Sequence, residues 1–439
     1  MNWSAVGLPD TLRRWRSMWA VPVAVVVAAC SVPAEDSAAQ TEPGTYDLVY
    51  TVTPEPSSGR VDVTLDVRQE AHLLREVRFD FDPERYSGFE GSGELQVDDD
   101  VVRWYVPAEG GSLSWQADTR RRRNDNGYDA WLDTSWGVMR AERIIPRAVS
   151  RTRKGAGSRT VLAFDLPAGW SVVTQYAPDG DRFPVENPAR RYDEPSGWLV
   201  MGRLGVRLDR IGGTRIVVAG PEDNNVRRLD ILTFLNWTLP DVFRLVPAPP
   251  ERLTVISAGD PMWRGGLSAS DSLYIHAERP LVSENGTSTL LHEVLHVVLG
   301  LWSKRGYDWI VEGLAEYYSV EVLRRSGGLS AARTDKAFAS LAEWARETET
   351  LCKDPSTGSR TAFAATLFAA LDAEIRDATA GRNSLDDVLA LLLARESDID
   401  LDDLVTAATE VMGGMPESLG EAAIPGCAPR PPPTGGEPS

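Results

Sequence analysis

The chain has 439 residues, 42% of them apolar and 25% charged, the balance of an ordinary globular protein and not of a collagen-like, wholly disordered or polytopic membrane chain. Its formal net charge is −18, and only four of its 46 basic residues are Lys. Phosphate backbones need a concentrated basic field, so this composition argues against a nucleic-acid partner. The one basic run, Arg120–Arg123, leads into Asn124-Asp125-Asn126-Gly127 and reads as a solvated turn.

Residues 1–29 read as an export leader. Arg13, Arg14 and Arg16 form a positive segment, and Met18–Ala29 is an apolar stretch too short to span a bilayer comfortably. The leader ends Val27-Ala28-Ala29-Cys30, which resembles the lipobox of bacterial lipoproteins. That resemblance implies cleavage before Cys30 and lipidation of the Cys30 thiol, so the chain is expected to be exported and anchored to a bacterial membrane, facing the periplasm or the cell exterior. Losing Asp10 and the three arginines takes the net charge to −20. With Cys30 acylated, Cys352 and Cys427 remain, and an oxidising compartment favours a disulfide between them.

Residues 30–44 form a polar tether. Period-two alternation then begins at Tyr46–Val52 and continues through Val61–Val67 and Val77–Phe81, and further strand candidates are Val101–Val106, Val161–Phe164, Trp198–Met201 and Ile216–Ala219. Residues 45–220 therefore read as an N-terminal β-sandwich-like domain, with 107–157 expected to hold long loops. From 221 to 425 the pattern becomes mainly helical. Helices are expected at about 226–237, 288–299, 309–325, 336–348, 361–377, 384–395 and 400–412, with strands at 252–257 and 272–277. Ser384, with Asp387 three residues on, and Asp400 are N-caps. Residues 426–439 form a Pro-rich tail expected to be disordered.

The chemistry concentrates in residues 289–318. Two of the four histidines, His292 and His296, are four apart, so on a helix they share one face and converge on a single cation. Glu293 flanks that face and reaches an attacking water without being a ligand, the logic of H-E-x-x-H metallopeptidases. The surrounding helix, Thr289–Val298, is otherwise uncharged and mostly apolar. Burying two imidazoles and a carboxylate without partners costs several kcal/mol, and zinc supplies the partner. Gly300 ends this helix and Asp308 caps the next, which returns Glu312 and Glu316 on one face. Spacing favours Glu316 as third ligand, since nineteen residues lie between it and His296.

The local wording favours Glu312. Trp309-Ile310-Val311-Glu312-Gly313-Leu314-Ala315-Glu316-Tyr317 resembles the W-x-x-E-G-x-A-x-Y signature of gluzincin aminopeptidases at every fixed position. Arg228–Leu232, Leu371–Arg376 and Ser384–Val388 extend the likeness to about residues 225–410, and it points to the gluzincin metallopeptidases, specifically the glycyl aminopeptidase branch. The resemblance implies an α+β chain with a thermolysin-like, mainly helical zinc peptidase domain behind the β-rich one. It implies one Zn²⁺ held by His292, His296 and Glu312, with Glu293 as general base and Glu316 orienting a ligand histidine. For Glu316 a solvated helix face is the plain alternative. The partners it implies are peptide or protein substrates.

The sequence departs from the family in lacking a Gly-x-Met-x-Asn strand motif before His292, in a short His296–Glu312 connection, and in having Thr361–Ala364 where relatives carry Tyr-x-x-Gly. Leu273–Glu278 is the candidate edge strand. His276, on that strand, and Tyr317 are candidate substrate or oxyanion contacts in place of the missing Tyr, as are Tyr318 and Tyr307. A lipid-anchored binding or assembly protein on a degenerate peptidase scaffold is the second reading, and a zinc hydrolase acting on another bond the third.

Overall fold

The structure, a computed structural model, describes residues 44–125, 127–186, 192–420 and 422–427. The leader, Cys30, nearly all of the tether and most of the tail lie outside the described residues. All described residues fall within one compact unit, Pro43–Ser439. The protein is mixed α and β, with strands in several sheets up to Pro221 and helices dominating afterwards.

Alternation along the first strands places one face of each in a core. In Thr45–Glu55 the residues Tyr46, Leu48, Tyr50 and Val52 are fully buried while their neighbours are not. This strand pairs antiparallel with Arg60–Arg68 and parallel with Gly157–Phe164, inside a six-stranded sheet. A four-stranded sheet built on Leu74–Asp80 packs against it through one apolar cluster, with Phe79 and Trp115 ring centroids 5.5 Å apart. The region 107–157 is more regular than its sequence predicts. It contains the nine-residue strand Gly110–Asp118, Trp136–Arg140 and Arg147–Thr152, besides shorter strands. Gly and Ser at the start of the first, and charges throughout the last, mask their alternation.

The site is organised by a five-stranded sheet in the order Leu204–Ile211, Thr214–Pro221, Arg252–Ala258, Ser272–His276, Gly266–Ser268. Its centre is parallel and each edge is an antiparallel hairpin. The hairpin Leu204–Pro221, which the alternation assigned to the first half, thus pairs with strands of the second. Both faces of the sheet are covered, which explains its continuous apolar runs. Ile216, Val218, Val255 and Ile275 pack on the helices, whereas Val217, Ala219, Ile256 and Tyr274 pack on Trp136, Val138, Trp198 and Val200 of a second four-stranded sheet. The edge strand is Gly266–Ser268, not Leu273–Glu278, because three residues are too few to register as a strand by pattern.

Among the described residues seven α-helices follow or flank this sheet: α1 (Arg228–Val242), α2 (Thr289–Leu299), α3 (Asp308–Arg325), α4 (Ala331–Ala345), α5 (Ser359–Ala378), α6 (Leu385–Leu393) and α7 (Leu401–Met412). Ser384 and Asp400 each close a reciprocal capping box with the acid three residues on, Asp387 and Asp403. Cys352, in the connection after α4, is disulfide-bonded to Cys427.

Candidate metal centre

Helix α2 carries the histidines because its ends are well defined. The Ser288 hydroxyl accepts from the Leu291 backbone N–H at 3.2 Å, and Gly300, at φ 58°, closes the helix with its N–H on the His296 carbonyl. Five apolar residues of α2, from Leu290 to Val298, are buried in the main core, which fixes the helix and aims its polar stripe outward. Helix α3 returns beside it, but Asp308 does not cap it. Tyr307 holds the N-cap position without a side-chain bond, and Asp354 supplies the acceptors for the Gly306 and Asp308 N–H groups instead. Asp308 accepts from the Ser356 N–H at 2.8 Å.

Donor groups of three residues converge between the two helices. His292 Nε2 and His296 Nε2 are 3.1 Å apart, and each is 3.3 Å from a different oxygen of Glu312. A tetrahedral ion with bonds of about 2.0–2.1 Å separates neighbouring donors by about 3.3 Å, so the spacing of each imidazole nitrogen from the other and from its nearer Glu312 oxygen is compatible with zinc. The fourth donor distance is different in kind. Glu316 lies 2.9 Å from His292 Nδ1, the nitrogen facing away from these donors. A carboxylate accepts only, so Nδ1–H donates to Glu316 and the Nε2 lone pair is left pointing at the centre. Spacing favoured Glu316 as ligand and the local wording favoured Glu312; the geometry sets Glu312 against the Nε2 atoms and Glu316 against Nδ1 of His292.

Electrostatics agree with the donor set. Burial opposes charging of His292, but Glu312 and Glu316 outweigh it and raise the imidazole well above its usual range. Burial would raise Glu312, yet the two imidazoles overcome it and hold the carboxyl well below the ordinary carboxylate range. The imidazoles and the carboxylates thus each favour the charged form of the other, and a cation bound here would take the place of the imidazole proton as the positive partner. The set of two imidazoles and one carboxylate, with space beside it, fits a single zinc ion.

That space consists of two cavities, about 840 Å³ and about 380 Å³. His296 lines the larger one, His292, Glu293 and Glu316 the smaller, and Glu312 both. Glu293 is only 8% exposed and sits against the edge strand. A Cβ on Gly266 would fall 2.7 Å from Glu293 Cγ and 2.9 Å from Thr289 Cγ2, so only glycine lets the strand approach so closely. The strand passes from one cavity to the other, Gly266 in the smaller and Ser268 in the larger. Its inward bonds fall at Gly265, which accepts from His276 N, and at Ala269, which donates to Ser272 O. By ladder alternation, Gly266 and Ser268 then turn their backbone groups outward.

The other expected contacts lie elsewhere. His276 is 2% exposed, accepts from the Glu278 N–H at its Nδ1, and faces Asp260 at 3.5 Å, away from both cavities. It sits at the end of the second strand, not of the edge strand. Tyr317 is 3% exposed, packed against Tyr318 and Phe338, and its hydroxyl belongs to the neighbourhood of Asp372. No tyrosine lines either cavity among the described residues; Thr361 lines the smaller one. Missed by the sequence reading were Gly266, Trp263 and Trp344, which also line that cavity. Only the glycine left a trace in sequence, as the pair Gly265-Gly266.

The fold has a solved counterpart. A crystal structure of an aminopeptidase N family protein from Idiomarina loihiensis superposes with a TM-score of 0.59 at 15% identity, covering 82% of this chain and 75% of that one. At that identity the likeness is one of fold. No family model matches the sequence, and no curated protein matches it.

Proposed function

We propose that the protein is a zinc-dependent peptidase in which His292, His296 and Glu312 hold the metal. The observation that carries this reading is the convergence of two imidazole nitrogens and the Glu312 carboxylate, at separations of 3.1–3.3 Å, beside two cavities. Bound zinc supplies Lewis acidity, which polarises a carbonyl and makes water acidic near neutral pH. Glu293, close by on the same helix, takes the proton of the attacking water and delivers it to the leaving amine. Glu316 holds His292 in the tautomer that donates from Nδ1. An extended peptide adds to the open edge of Gly266–Ser268. If it runs antiparallel, its amino-terminal side lies in the larger cavity and its carboxy-terminal side in the smaller. The aminopeptidase N-like fold supports a peptidase scaffold.

Metal analysis followed by cleavage of a peptide library tests the proposal. We expect one zinc per chain and hydrolysis that a chelator abolishes. A chain that binds no zinc refutes it. Zinc without cleavage of any peptide supports the second reading, a binding or assembly protein, which the absence of a cavity-lining tyrosine among the described residues favours. We also propose export and lipid anchoring through Cys30, on the sequence evidence alone. Among the described residues no helix is long and apolar enough to cross a membrane.

A further inference from the structure

The β-rich half holds a cavity of about 480 Å³ that the hydrolase reading does not use. Six arginines line it, Arg85, Arg121, Arg122, Arg123, Arg143 and Arg147, in a chain whose formal charge is −18. The carboxylates present do not balance them. Asp80 is turned to Arg78 at 2.5 Å, Asp82 pairs with Arg121, and Asp129 is shared between Arg143 at 3.3 Å and Arg85 at 3.8 Å. Glu142 accepts from the Gly197 N–H. Arg122, Arg123 and Arg147 pair with no carboxylate among the described residues.

These guanidiniums are held in place. Arg122 stacks over Tyr128 at 5.7 Å and Arg123 over Trp263 at 4.4 Å, which leaves their in-plane N–H groups available. The hairpin bearing them is fastened by Tyr128 N–H to Pro261 O at 3.1 Å and Trp263 N–H to Tyr128 O at 2.9 Å. Arg85 is only 6% exposed. Burial holds it below the ordinary guanidinium range despite Asp129, and Arg143 and Arg121 add to the effect. The buried Nε of Arg143 has no acceptor. The sequence reading of Arg120–Arg123 as a solvated turn is therefore incomplete, since three of the four line a preformed, positively charged recess.

We propose that this recess binds an oxyanion ligand, a peptide carboxylate or a phosphate group, with Arg122 and Arg147 supplying its exposed contacts. Planar guanidinium forks suit both chemistries. The proposal does not depend on the hydrolase reading, although the recess shares or neighbours lining residues of the two cavities described above. Glu142 lines both it and the larger cavity, and Trp263, beneath Arg123, lines the smaller.

Isothermal titration calorimetry on the full chain as purified tests it. Inorganic phosphate and triglutamate are titrated separately at low ionic strength, with triglutamine as the neutral control. The expected result is saturable 1:1 binding of at least one anion, none of triglutamine, and at least a tenfold weaker affinity in R122Q/R147Q. The anion that binds more tightly identifies the source. Both substituted side chains are exposed, so the variant should keep the thermal unfolding profile of the parent. Binding of neither anion, or equal binding by the double variant, overturns the proposal. Because the readout is binding, this outcome is independent of whether Glu293 supports turnover.

Discussion

His292 meets a carboxylate on each of its ring nitrogens, Glu312 at Nε2 and Glu316 at Nδ1. The first competes with nothing once a cation arrives; the second sets the ring's tautomer and angle. Glu316→Gln should therefore weaken zinc binding by about 10- to 100-fold without abolishing it, measured by competition with a fluorescent chelator. Unchanged affinity would reduce Glu316 to a solvated position on the helix. The His pair and Glu293 were legible because four-residue spacing maps directly onto a helical face. For Glu312 and Glu316 two signals disagreed: spacing favoured Glu316 as ligand and the local wording favoured Glu312, because both lie on one face of α3. His276 and Tyr317 were misread for a related reason. Which side of a strand or helix meets the cleft depends on where the sheet ends, and a three-residue edge strand leaves little mark in a pattern.

Helix α3 shows how a signature mixes support with chemistry. Of its fixed positions only Glu312 lines the cavities. Trp309 is fully buried and stacks on Phe368 at 6.2 Å, Ala315 and Tyr317 are buried, and Gly313 is where α3 and α5 cross most closely. A Cβ on Gly313 would fall 2.5 Å from the Ala364 Cβ and 2.9 Å from Phe368. Gly313→Ala should thus destabilise the fold by about 1–3 kcal/mol, overpacking outweighing the gain in helix propensity. The urea midpoint reports this, and a midpoint at or above that of the parent would show that the helices separate freely. Gly266 makes the complementary case. Gly266→Ala should displace Glu293, lowering turnover while leaving zinc content and the urea midpoint near those of the parent; unaltered turnover would mean that the strand does not position the base.

Across the whole molecule, the helices of the second half were placed within a few residues by periodicity and caps, while the strand-rich half was only partly readable. Half-buried strands alternate cleanly, as in Thr45–Glu55, but strands covered on both faces, such as Thr214–Pro221, read as plain apolar runs. That difference is why the pairing of the hairpin Leu204–Pro221 with the strands Arg252–Ala258 and Ser272–His276 was not legible in the sequence. The Cys352–Cys427 bond closes a separation of 75 residues and ties the end of the described chain to the connection after α4. Removing it with Cys352→Ser/Cys427→Ser should cost about 2–4 kcal/mol, read from denaturant unfolding under non-reducing conditions. An unchanged midpoint would show that the tail adds nothing to the fold.

The central claim joins all three scales: a histidine pair, two antiparallel helices and an edge strand converge so that Glu293 serves one catalytic water. The most direct test compares peptide-library cleavage by the zinc-loaded parent and by Glu293→Gln at matched zinc content. The account predicts cleavage by the parent and a loss of about 10²- to 10⁴-fold in the variant, with zinc retained. Equal rates in the two proteins, or no cleavage by a parent carrying its full zinc, would contradict it.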